Sequence, residues 1–449
     1  MKGLILDSLI KRKNKENRKP LILKGVRQCG KTYILKEFRM KCYKNFVYCN
    51  FEENKSFSKI FEEDFDVKRI VFELSLLTGV SIEKGNTLIF LDEIQESSRA
   101  ITSLKHFCEN GSEYHVVSVG SLLGIAIHED TSFPVGKVEF LNLYPMSFFE
   151  FLLASDHEML FNYLNDFKED KVPEVVSRKI ENLLREYFAV GGMPEVVSSW
   201  IKNRSLQDID DIQENILNSY AFDFIKHAKA KEFPKLAAIW RSIPNQLAKA
   251  SSKFIFSHVK EGYRARDLGD ALERLIDAGL IFKVSKIEKP YIPLSSYSDN
   301  SYFKIYLSDV GLLRKLSEVD SEVIFQSADL FTEFKGAMTE NFVLNELIKS
   351  NIGVPYYWVS QNSAEVDFVI QIGKYISPIE VKASKNVKAK SLGIYIDKYH
   401  PKFAFKTSLK ENFGGDKIFQ IPLYLISNIS KYLKYKIRCH QNDDYIVFF

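Results

Sequence analysis

The sequence predicts an α/β chain of several domains, the first of which is a doubly wound parallel sheet. Apolar strand-forming runs alternate with amphipathic helical runs over residues 21–120, as they do where helices connect parallel strands. A length of 449 residues exceeds what one hydrophobic core usually supports. The composition, 45% hydrophobic and 27% charged residues, is that of a globular protein in water.

The first strand leads into a glycine-rich loop. Leu21–Leu23 precedes the motif Gly25-x-x-x-x-Gly30-Lys31-Thr32, and an amphipathic helical run, 33–41, follows. This order is typical of a P-loop, in which backbone N–H groups and a helix N-terminus face phosphate oxygens. Lys31 would reach the β- and γ-phosphates of ATP, and the Thr32 hydroxyl would ligate Mg²⁺. The alternative is an ordinary glycine turn between a strand and a helix.

A second nucleotide motif favours the P-loop interpretation. Residues 87–91 are apolar strand formers that end in Asp92 and Glu93, as in a buried parallel strand whose carboxyl end faces the phosphates. Asp92 would hold Mg²⁺, and Glu93 would polarise the attacking water. The next strand, 114–120, is followed by Ser121, and both Ser118 and Ser121 are candidates to sense the γ-phosphate. We therefore expect ATP and Mg²⁺ as cofactors.

Charge and cysteine usage limit the environment and the partners. The net charge is only +4, but residues 374–449 hold 14 Lys and Arg against 6 Asp and Glu, which suits either a nucleic-acid surface or a solvated lysine-rich face. The five cysteines form no Cys-x-x-Cys pair, which favours a reducing cytoplasm over a zinc site. No apolar run approaches the length of a membrane span, and the N-terminus lacks the apolar block of a signal peptide.

The block Leu143-Tyr-Pro-Met-Ser-Phe-Phe-Glu-Phe151 closes the predicted nucleotide domain, 1–154. With it the chain resembles the bacterial and archaeal AAA-type ATPases in which a nucleotide domain is joined to a C-terminal domain of unknown function. The Gly-Gly-Met-Pro-Glu element at 191–195 matches the same family. The resemblance spans about residues 18–400 and implies an arginine near the phosphates, where this chain carries Lys137.

Two predicted segments follow the nucleotide domain. Residues 155–232 are helical by their apolar spacing and form a linker or lid. Residues 233–318 combine helices with a hairpin over 280–307, the outline of a winged helix whose recognition helix, 263–278, would begin at Arg264 and Arg266. Winged helices bind DNA or dock proteins, and the few basic residues here leave both open.

The last predicted domain, 319–449, resembles the restriction-endonuclease-like PD-(D/E)XK nucleases. A long helix over 332–350 carries Glu340, one strand carries Asp367, and its partner carries Glu380-Val-Lys382. Alternation places Glu380 and Lys382 on one strand face. Glu340, Asp367 and Glu380 would hold a divalent metal through oxygen atoms, with Lys382 as a catalytic cation.

Two functional hypotheses follow. The first is an ATPase that couples ATP to a nuclease-like domain acting on DNA or another nucleic acid; the second is an ATP-regulated protein whose nuclease-like domain docks a protein partner and cleaves nothing. The sequence leaves the oligomeric state open. Cys29 lies in the P-loop beside Lys31 and a helix N-terminus, which would lower its thiol pKa, unless it is a buried and inert side chain.

Overall fold

A computed structural model describes residues 4–120, 133–167, 171–227, 231–249, 253–326, 332–360, 364–383, 389–410, 414–415 and 418–434. The chain divides into two compact units. The first comprises 1–146, 219–236 and 270–280, and the second comprises 147–218, 237–269 and 281–449. Within the described ranges, no helix has the length and apolar character needed to cross a membrane.

The first unit alternates helices and strands through its N-terminal part. In chain order these elements are α1 (Ile5–Lys13), β1 (Leu21–Lys24), α2 (Lys31–Cys42), β2 (Asn45–Asn50), α3 (Ser56–Ile60), α4 (Val67–Thr78), β3 (Thr87–Asp92), α5 (Ser98–Asn110), β4 (His115–Val119) and β5 (Glu139–Asn142). The apolar spacing over 57–79 suggests one helix, but the structure has two. Asp66 begins α4 as its N-cap by accepting from the Lys68 N–H.

The predicted parallel, doubly wound sheet is confirmed. Its five strands are all parallel in the order β2-β3-β4-β1-β5. Strand β4 thus separates β1, which leads into the glycine loop, from β3, which ends at Asp92. Apolar clusters on both faces bury β3 and β4 almost completely. Because parallel strands end at one edge, residues that follow β1 and β3 are brought together.

Helices dominate the chain between the two sheets. They are α6 (Phe148–Ala154), α7 (Glu158–Asn165), α8 (Glu174–Val190), α9 (Pro194–Asn203), α10 (Leu206–His227), α11 (Phe233–Leu247), α12 (Phe256–Val259) and α13 (Ala265–Asp277). Ser147 and Glu150 form a reciprocal capping box at the start of α6. The family block 143–151 therefore contains the beginning of a helix.

The second unit contains a mixed α/β sheet. The remaining elements are β6 (Ile281–Ile287), β7 (Ser298–Leu307), α14 (Val310–Leu316), α15 (Ser321–Gln326), α16 (Thr332–Lys349), β8 (Tyr356–Val359), β9 (Glu365–Ile372), β10 (Tyr375–Val381), α17 (Lys390–Tyr399), β11 (Phe405–Ser408) and β12 (Phe419–Pro422). The seven strands run in the order β12-β11-β10-β9-β8-β6-β7.

The hairpin β6–β7 belongs to the same sheet as β8 to β12. Strand β6 pairs in parallel with β8 through Lys286 to Tyr357 and Ile287 to Trp358. Ile287 and Trp358 also share one buried apolar cluster with residues of β9 and α17. A domain boundary between 318 and 319, as the sequence suggests, would therefore divide one sheet.

The Gly-Gly element after α8 crosses the start of α14. Gly191 has φ +73°, and a Cβ there would lie 2.9 Å from the Gly311 Cα and closer still to an Asp309 oxygen. The buried Asp309 carboxylate accepts from Gly192 N–H at 2.6 Å and from Leu312 N–H at 2.9 Å. Glycine is required at 191 because two backbones meet there.

A buried carboxylate joins α16 to the start of α6. Glu346 is 1% exposed, and its Oε1 accepts from the Phe148 N–H at 3.0 Å. Burial raises the pKa of this carboxyl to about 7, against the opposing influence of Lys349 and the Phe148 hydrogen bond. The phenyl ring of Phe148 contacts Tyr187 and Phe342 edge-on. The second half of the family block is thus anchored to α16.

Candidate nucleotide and carboxylate sites

The loop between β1 and α2 has the backbone geometry of a tight phosphate-binding turn. Gly30 is the residue before α2 and has φ 91°, which favours glycine. A Cβ on Gly25 would overlap the Leu143 carbonyl oxygen and lie 2.8 Å from Cys29 Sγ. Thr32, the second residue of α2, is half-buried. Both glycines of the motif therefore occupy positions that a larger residue would disturb.

Lys31 is folded back onto its own loop. Its Nζ donates to the carbonyl oxygens of Gly25 and Val26, each at 2.8 Å, and the side chain is buried. An ammonium that donates hydrogen bonds to neutral carbonyls would gain from exchanging them for the charged oxygens of a phosphate, since charge-assisted hydrogen bonds are stronger.

Asp92 and Glu93 end β3 in two different environments. Asp92 is 5% exposed, and its Oδ2 accepts from the Tyr48 hydroxyl at 2.8 Å. Burial raises the Asp92 pKa, while Tyr48 and Lys31 oppose that rise. Glu93 has a left-handed backbone, φ 49°, and its Oε2 accepts from Gln95 Nε2 at 2.5 Å. A non-glycine residue in this conformation is strained, which is frequent at functional sites.

Of the two interpretations of Cys29, the structure favours the buried and inert side chain. The thiol is 3% exposed, and its Sγ donates to the Leu143 carbonyl at 3.6 Å. Burial raises the Cys29 pKa, and this outweighs the lowering by Lys31. The sequence shows the nearby cation but not the tertiary contact that removes the sulfur from water.

The sequence also suggests that Ser118, Ser121 and Lys137 lie near the phosphates. Ser118 and Lys137 have other contacts in the structure, and Ser121 is not among the described residues. Ser118 is fully buried within β4 and donates to the Leu21 carbonyl at 3.1 Å. Lys137 Nζ lies 2.9 Å from Glu109 Oε1. Lys137 precedes β5, whose first residue pairs with Leu21 at the start of β1, so it lies at the end of the strands opposite to the P-loop.

Sequence reasoning missed the contacts that the end of α10 makes with the P-loop. The Arg27 guanidinium pairs with Asp223, whose side chain is 7% exposed. The Tyr220 hydroxyl donates to the Arg27 carbonyl at 3.0 Å. No local sequence pattern predicts this ion pair, because Arg27 and Asp223 are 196 residues apart in the chain.

In the second unit, the four residues predicted for the nuclease-like site come together. Lys382 Nζ lies 2.6 Å from Glu380 Oε1, and Asp367 Oδ2 accepts from the Val381 N–H at 2.7 Å. Burial raises the pKa of Asp367 well above its ordinary value, and Glu340 and Glu380 raise it further. Burial likewise raises the Glu380 pKa. The carboxylates thus lie close enough to repel one another.

Glu340, Glu365, Asp367 and Glu380, with the side chains that contact them, form what we call the carboxylate cluster. Sequence reasoning missed three of its members, Lys304, Tyr306 and Glu365, the first two of which lie on β7. Lys304 is 1% exposed, pairs with Glu365 and lies 3.6 Å from Glu340 Oε2. The Tyr306 hydroxyl donates to the same Glu340 oxygen at 2.9 Å. The available signal was a lysine inside the apolar run Phe-Lys-Ile-Tyr-Leu at 303–307, since a buried lysine needs a partner.

The carboxylate oxygens of this cluster fit a divalent metal in their chemistry but not in their present arrangement. Over the ranges that the structure describes, no three acidic, histidine or cysteine side chains are arranged to hold an ion. However, Glu380 Oε2 is buried and, within those ranges, has no hydrogen-bond partner. Glu340, Glu365, Asp367 and Glu380 interact with Lys304 and Lys382, and Glu380 also interacts electrostatically with Lys406, so the four carboxylates exceed these three cations by one negative charge if all ionise. The oxygen donors and this excess fit a divalent cation.

The two arginines of the predicted recognition helix lie beside an acidic residue. Asp267 accepts from the Arg264 N–H at 2.9 Å and lies 3.9 Å from the Arg266 guanidinium. Much of the basic C-terminal region, including 435–449, lies outside the described residues. DNA binding by either region therefore stays a prediction.

Comparison with protein families identifies the first part of the chain. The model of a family described as an AAA domain matches residues 17–152. Models of two domains of unknown function, DUF8612 and DUF4143, match residues 181–323 and 335–426. No curated protein matches the chain. The AAA match contains both the P-loop and the Asp92–Glu93 strand, so residues 17–152 are similar to an AAA domain in the part that carries the nucleotide motifs.

Similar solved structures are distant. A Walker-type ATPase of Pyrococcus abyssi is 13% identical, with a TM-score of 0.44 over 69% of this chain and 94% of that chain. The Aeropyrum pernix Orc1 protein in complex with DNA is 14% identical, with a TM-score of 0.25 over 70% of this chain and 90% of that one. Cdc6p of Pyrobaculum aerophilum is 11% identical, with a TM-score of 0.24 over 72% and 92%. These scores are too low to carry an argument.

Proposed function

We propose that this protein is an ATP-hydrolysing AAA-type ATPase that couples its nucleotide cycle to a metal-dependent, nuclease-like site acting on nucleic acid. The observation that carries the second half is the convergence of Glu340, Asp367, Glu380 and Lys382. The buried Glu380 Oε2, which has no hydrogen-bond partner within the described ranges, supports the same interpretation. Within this proposal, residues 319–449 have a restriction-endonuclease-like fold, and 233–318 serve as a winged-helix-like module that contributes β6 and β7 to the same sheet.

In the ATPase site, each residue has a distinct task. Lys31 transfers its ammonium from the Gly25 and Val26 carbonyls to the β- and γ-phosphates of ATP. Thr32 and Asp92 supply the hydroxyl and carboxylate oxygens that would hold Mg²⁺, which neutralises phosphate charge when bound. Glu93 accepts a hydrogen bond from the attacking water and orients it toward the γ-phosphorus, so that ADP leaves and phosphate is released.

In the carboxylate cluster, Glu340, Asp367 and Glu380 would hold Mg²⁺ or Mn²⁺, which lowers the pKa of a bound water. Lys382 is 2.6 Å from Glu380 in the structure and would turn its ammonium to the phosphate oxygens of the substrate. Lys304 holds the Glu365 side chain and offsets part of the negative charge.

A second candidate function is an ATP-regulated docking protein whose cluster is a structural charge network. The observation that favours it is that Lys304 and Lys382 already pair with Glu365 and Glu380. In the described part of the chain, no carboxylate trio is arranged around a common ion. In this alternative, the lysines neutralise the carboxylates in place of a metal ion, and no phosphodiester bond is broken.

The ATPase half is tested by Lys31→Ala and Glu93→Gln. Isothermal titration should show that Lys31→Ala loses affinity for ATP, because the phosphates lose their cation. Glu93→Gln should bind ATP and release phosphate about 100-fold more slowly, since only water positioning is removed. Unchanged turnover in Glu93→Gln would remove this residue from the mechanism.

The nuclease half is tested with linear and branched DNA in Mg²⁺, in Mn²⁺ and in chelator. Cleavage should require metal, and Asp367→Ala should abolish it, while Lys382→Ala should bind the metal without cleaving. Asp397→Ala, which removes an exposed carboxylate on α17, is the matched control. Metal binding without cleavage of any nucleic acid would instead favour the docking function.

A further inference from the structure

Tyr302, on the hairpin strand β7, lies under two lysine ammoniums. The tyrosine is 42% exposed. Lys253 Nζ is 3.4 Å and Lys286 Nζ is 4.4 Å from the centre of its ring. Lys286 also lies 3.6 Å from Asp299, whereas Lys253 has no carboxylate within salt-bridge distance among the residues the structure covers. Two cations beside one partly exposed aromatic ring are an arrangement that could attract an anion which also carries a planar group.

This lysine–tyrosine surface (Lys253, Lys286 and Tyr302) is continuous with the carboxylate cluster. Alternation along β7 directs Tyr302, Lys304 and Tyr306 to one face of the sheet. The buried Tyr357 on β8 lies between them. Its pKa is raised by burial, and Lys304, Glu365 and Tyr302 all interact with it electrostatically. At about 3.4 Å per residue, Tyr302 and Tyr306 are about 14 Å apart along the strand, the length of a few nucleotides.

We propose that Lys253, Lys286 and Tyr302 form a subsite for one unpaired nucleotide of a polynucleotide, and that a phosphate a few nucleotides further along the same strand lies at the carboxylate cluster. This inference rests on the proposed function. The base stacks on the Tyr302 ring, and the two lysine ammoniums move to the adjoining phosphate. The exchange is favourable because an exposed cation–π contact contributes less than base stacking does, and because lysine stems rotate freely.

The chemistry favours nucleic acid over an acidic protein segment. An acidic peptide would use the lysines but could stack on the ring only where it also carries an aromatic side chain, whereas every unpaired nucleotide offers both a base and a phosphate. A duplex keeps its bases stacked on each other, so it cannot use the ring. The proposal is therefore that the substrate has a single-stranded stretch.

The test measures binding of a fluorescein-labelled oligothymidylate about ten nucleotides long by anisotropy, in chelator to prevent cleavage. The unmodified chain of 449 residues should bind it. Tyr302→Ala should weaken binding about 5- to 100-fold, while Tyr302→Phe keeps the ring and the affinity. Lys253→Ala and Lys286→Ala should each reduce the slope of log affinity against log salt by about 0.7.

Matched controls come from the same hairpin. Tyr291→Ala removes a tyrosine that is 52% exposed and packs against Tyr297, and Lys289→Ala removes a neighbouring lysine; neither should alter binding. If the wild-type chain binds and Tyr302→Ala binds equally well, the subsite is refuted while nucleic-acid binding stands. If a duplex of equal length binds as tightly and depends equally on Tyr302, stacking of an unpaired base is refuted. If the wild-type chain binds no nucleic acid, both this inference and the proposed function fail.

Discussion

Replacing Gly191 by alanine should destabilise the second unit strongly. The new Cβ would collide with the Asp309 carboxylate and with the Gly311 backbone. Displacing that carboxylate breaks its bonds to the Gly192 and Leu312 N–H groups, the second of which caps α14. Positive-φ strain, a lost N-cap and a lost charge-assisted hydrogen bond together cost on the order of 5 kcal/mol.

The assay is unfolding by urea, followed by tryptophan fluorescence. All three tryptophans, Trp200, Trp240 and Trp358, lie in the second unit, so the signal reports that unit alone. Two further substitutions separate the contribution of backbone strain from that of the steric collision. Gly353→Ala has φ +85° but open space around it, and should cost only about 1 kcal/mol. Gly311→Ala would meet Gly191 atoms at 2.7 Å without a positive φ, and should give an intermediate loss. Equal losses in Gly191→Ala and Gly353→Ala would refute the backbone crossing.

Three other predictions concern buried groups. Since burial raises the Glu346 pKa from 4.5 to about 7, the native state prefers the protonated acid, and stability should fall as pH rises from 4.5 to 7, by on the order of 3 kcal/mol. Glu346→Gln should flatten that dependence in unfolding curves at pH 5–8; an unchanged curve would exclude Glu346 as its source. Cys29 should react with iodoacetamide far more slowly than the half-exposed Cys108, as mapped by mass spectrometry, and equal rates would contradict its burial. A double-mutant cycle of Arg27→Ala and Asp223→Asn should give a coupling energy of about 1 kcal/mol, because the Arg27 side chain is 44% exposed; additivity would show that the pair contributes nothing.

Short-range motifs were readable from the sequence because one local segment produces each of them. The P-loop glycines lie next to the helix that they introduce, and Glu380 and Lys382 share a strand face by alternation alone. The same local reasoning could not decide between a reactive and an inert Cys29, because the pKa of this thiol depends on burial against Leu143, more than 100 residues away. A nearby lysine is visible in a sequence, but the loss of water is not.

The residues that were missed depend on long-range pairing. Lys304 and Tyr306 reach Glu340 and Glu365 only because β6 joins β8 in parallel, a connection that no periodicity encodes. The sequence outline of a hairpin after helices suggested an independent winged helix, since local patterns define elements but not their neighbours in a sheet. Gly191 was recognisable as part of a family motif, although its reason, the contact with Gly311, was not.

The pairing of β6 with β8 also limits how the chain can be divided by proteolysis or by gene rearrangement. A fragment that begins at residue 319 would lose the strand that covers one edge of β8 and the Ile287 side chain that packs near Trp358. The uncovered edge would present free N–H and C=O groups beside apolar surface, which promotes pairing between chains and aggregation. Separating the hairpin from the carboxylate-bearing strands should therefore lower the solubility of the resulting fragments.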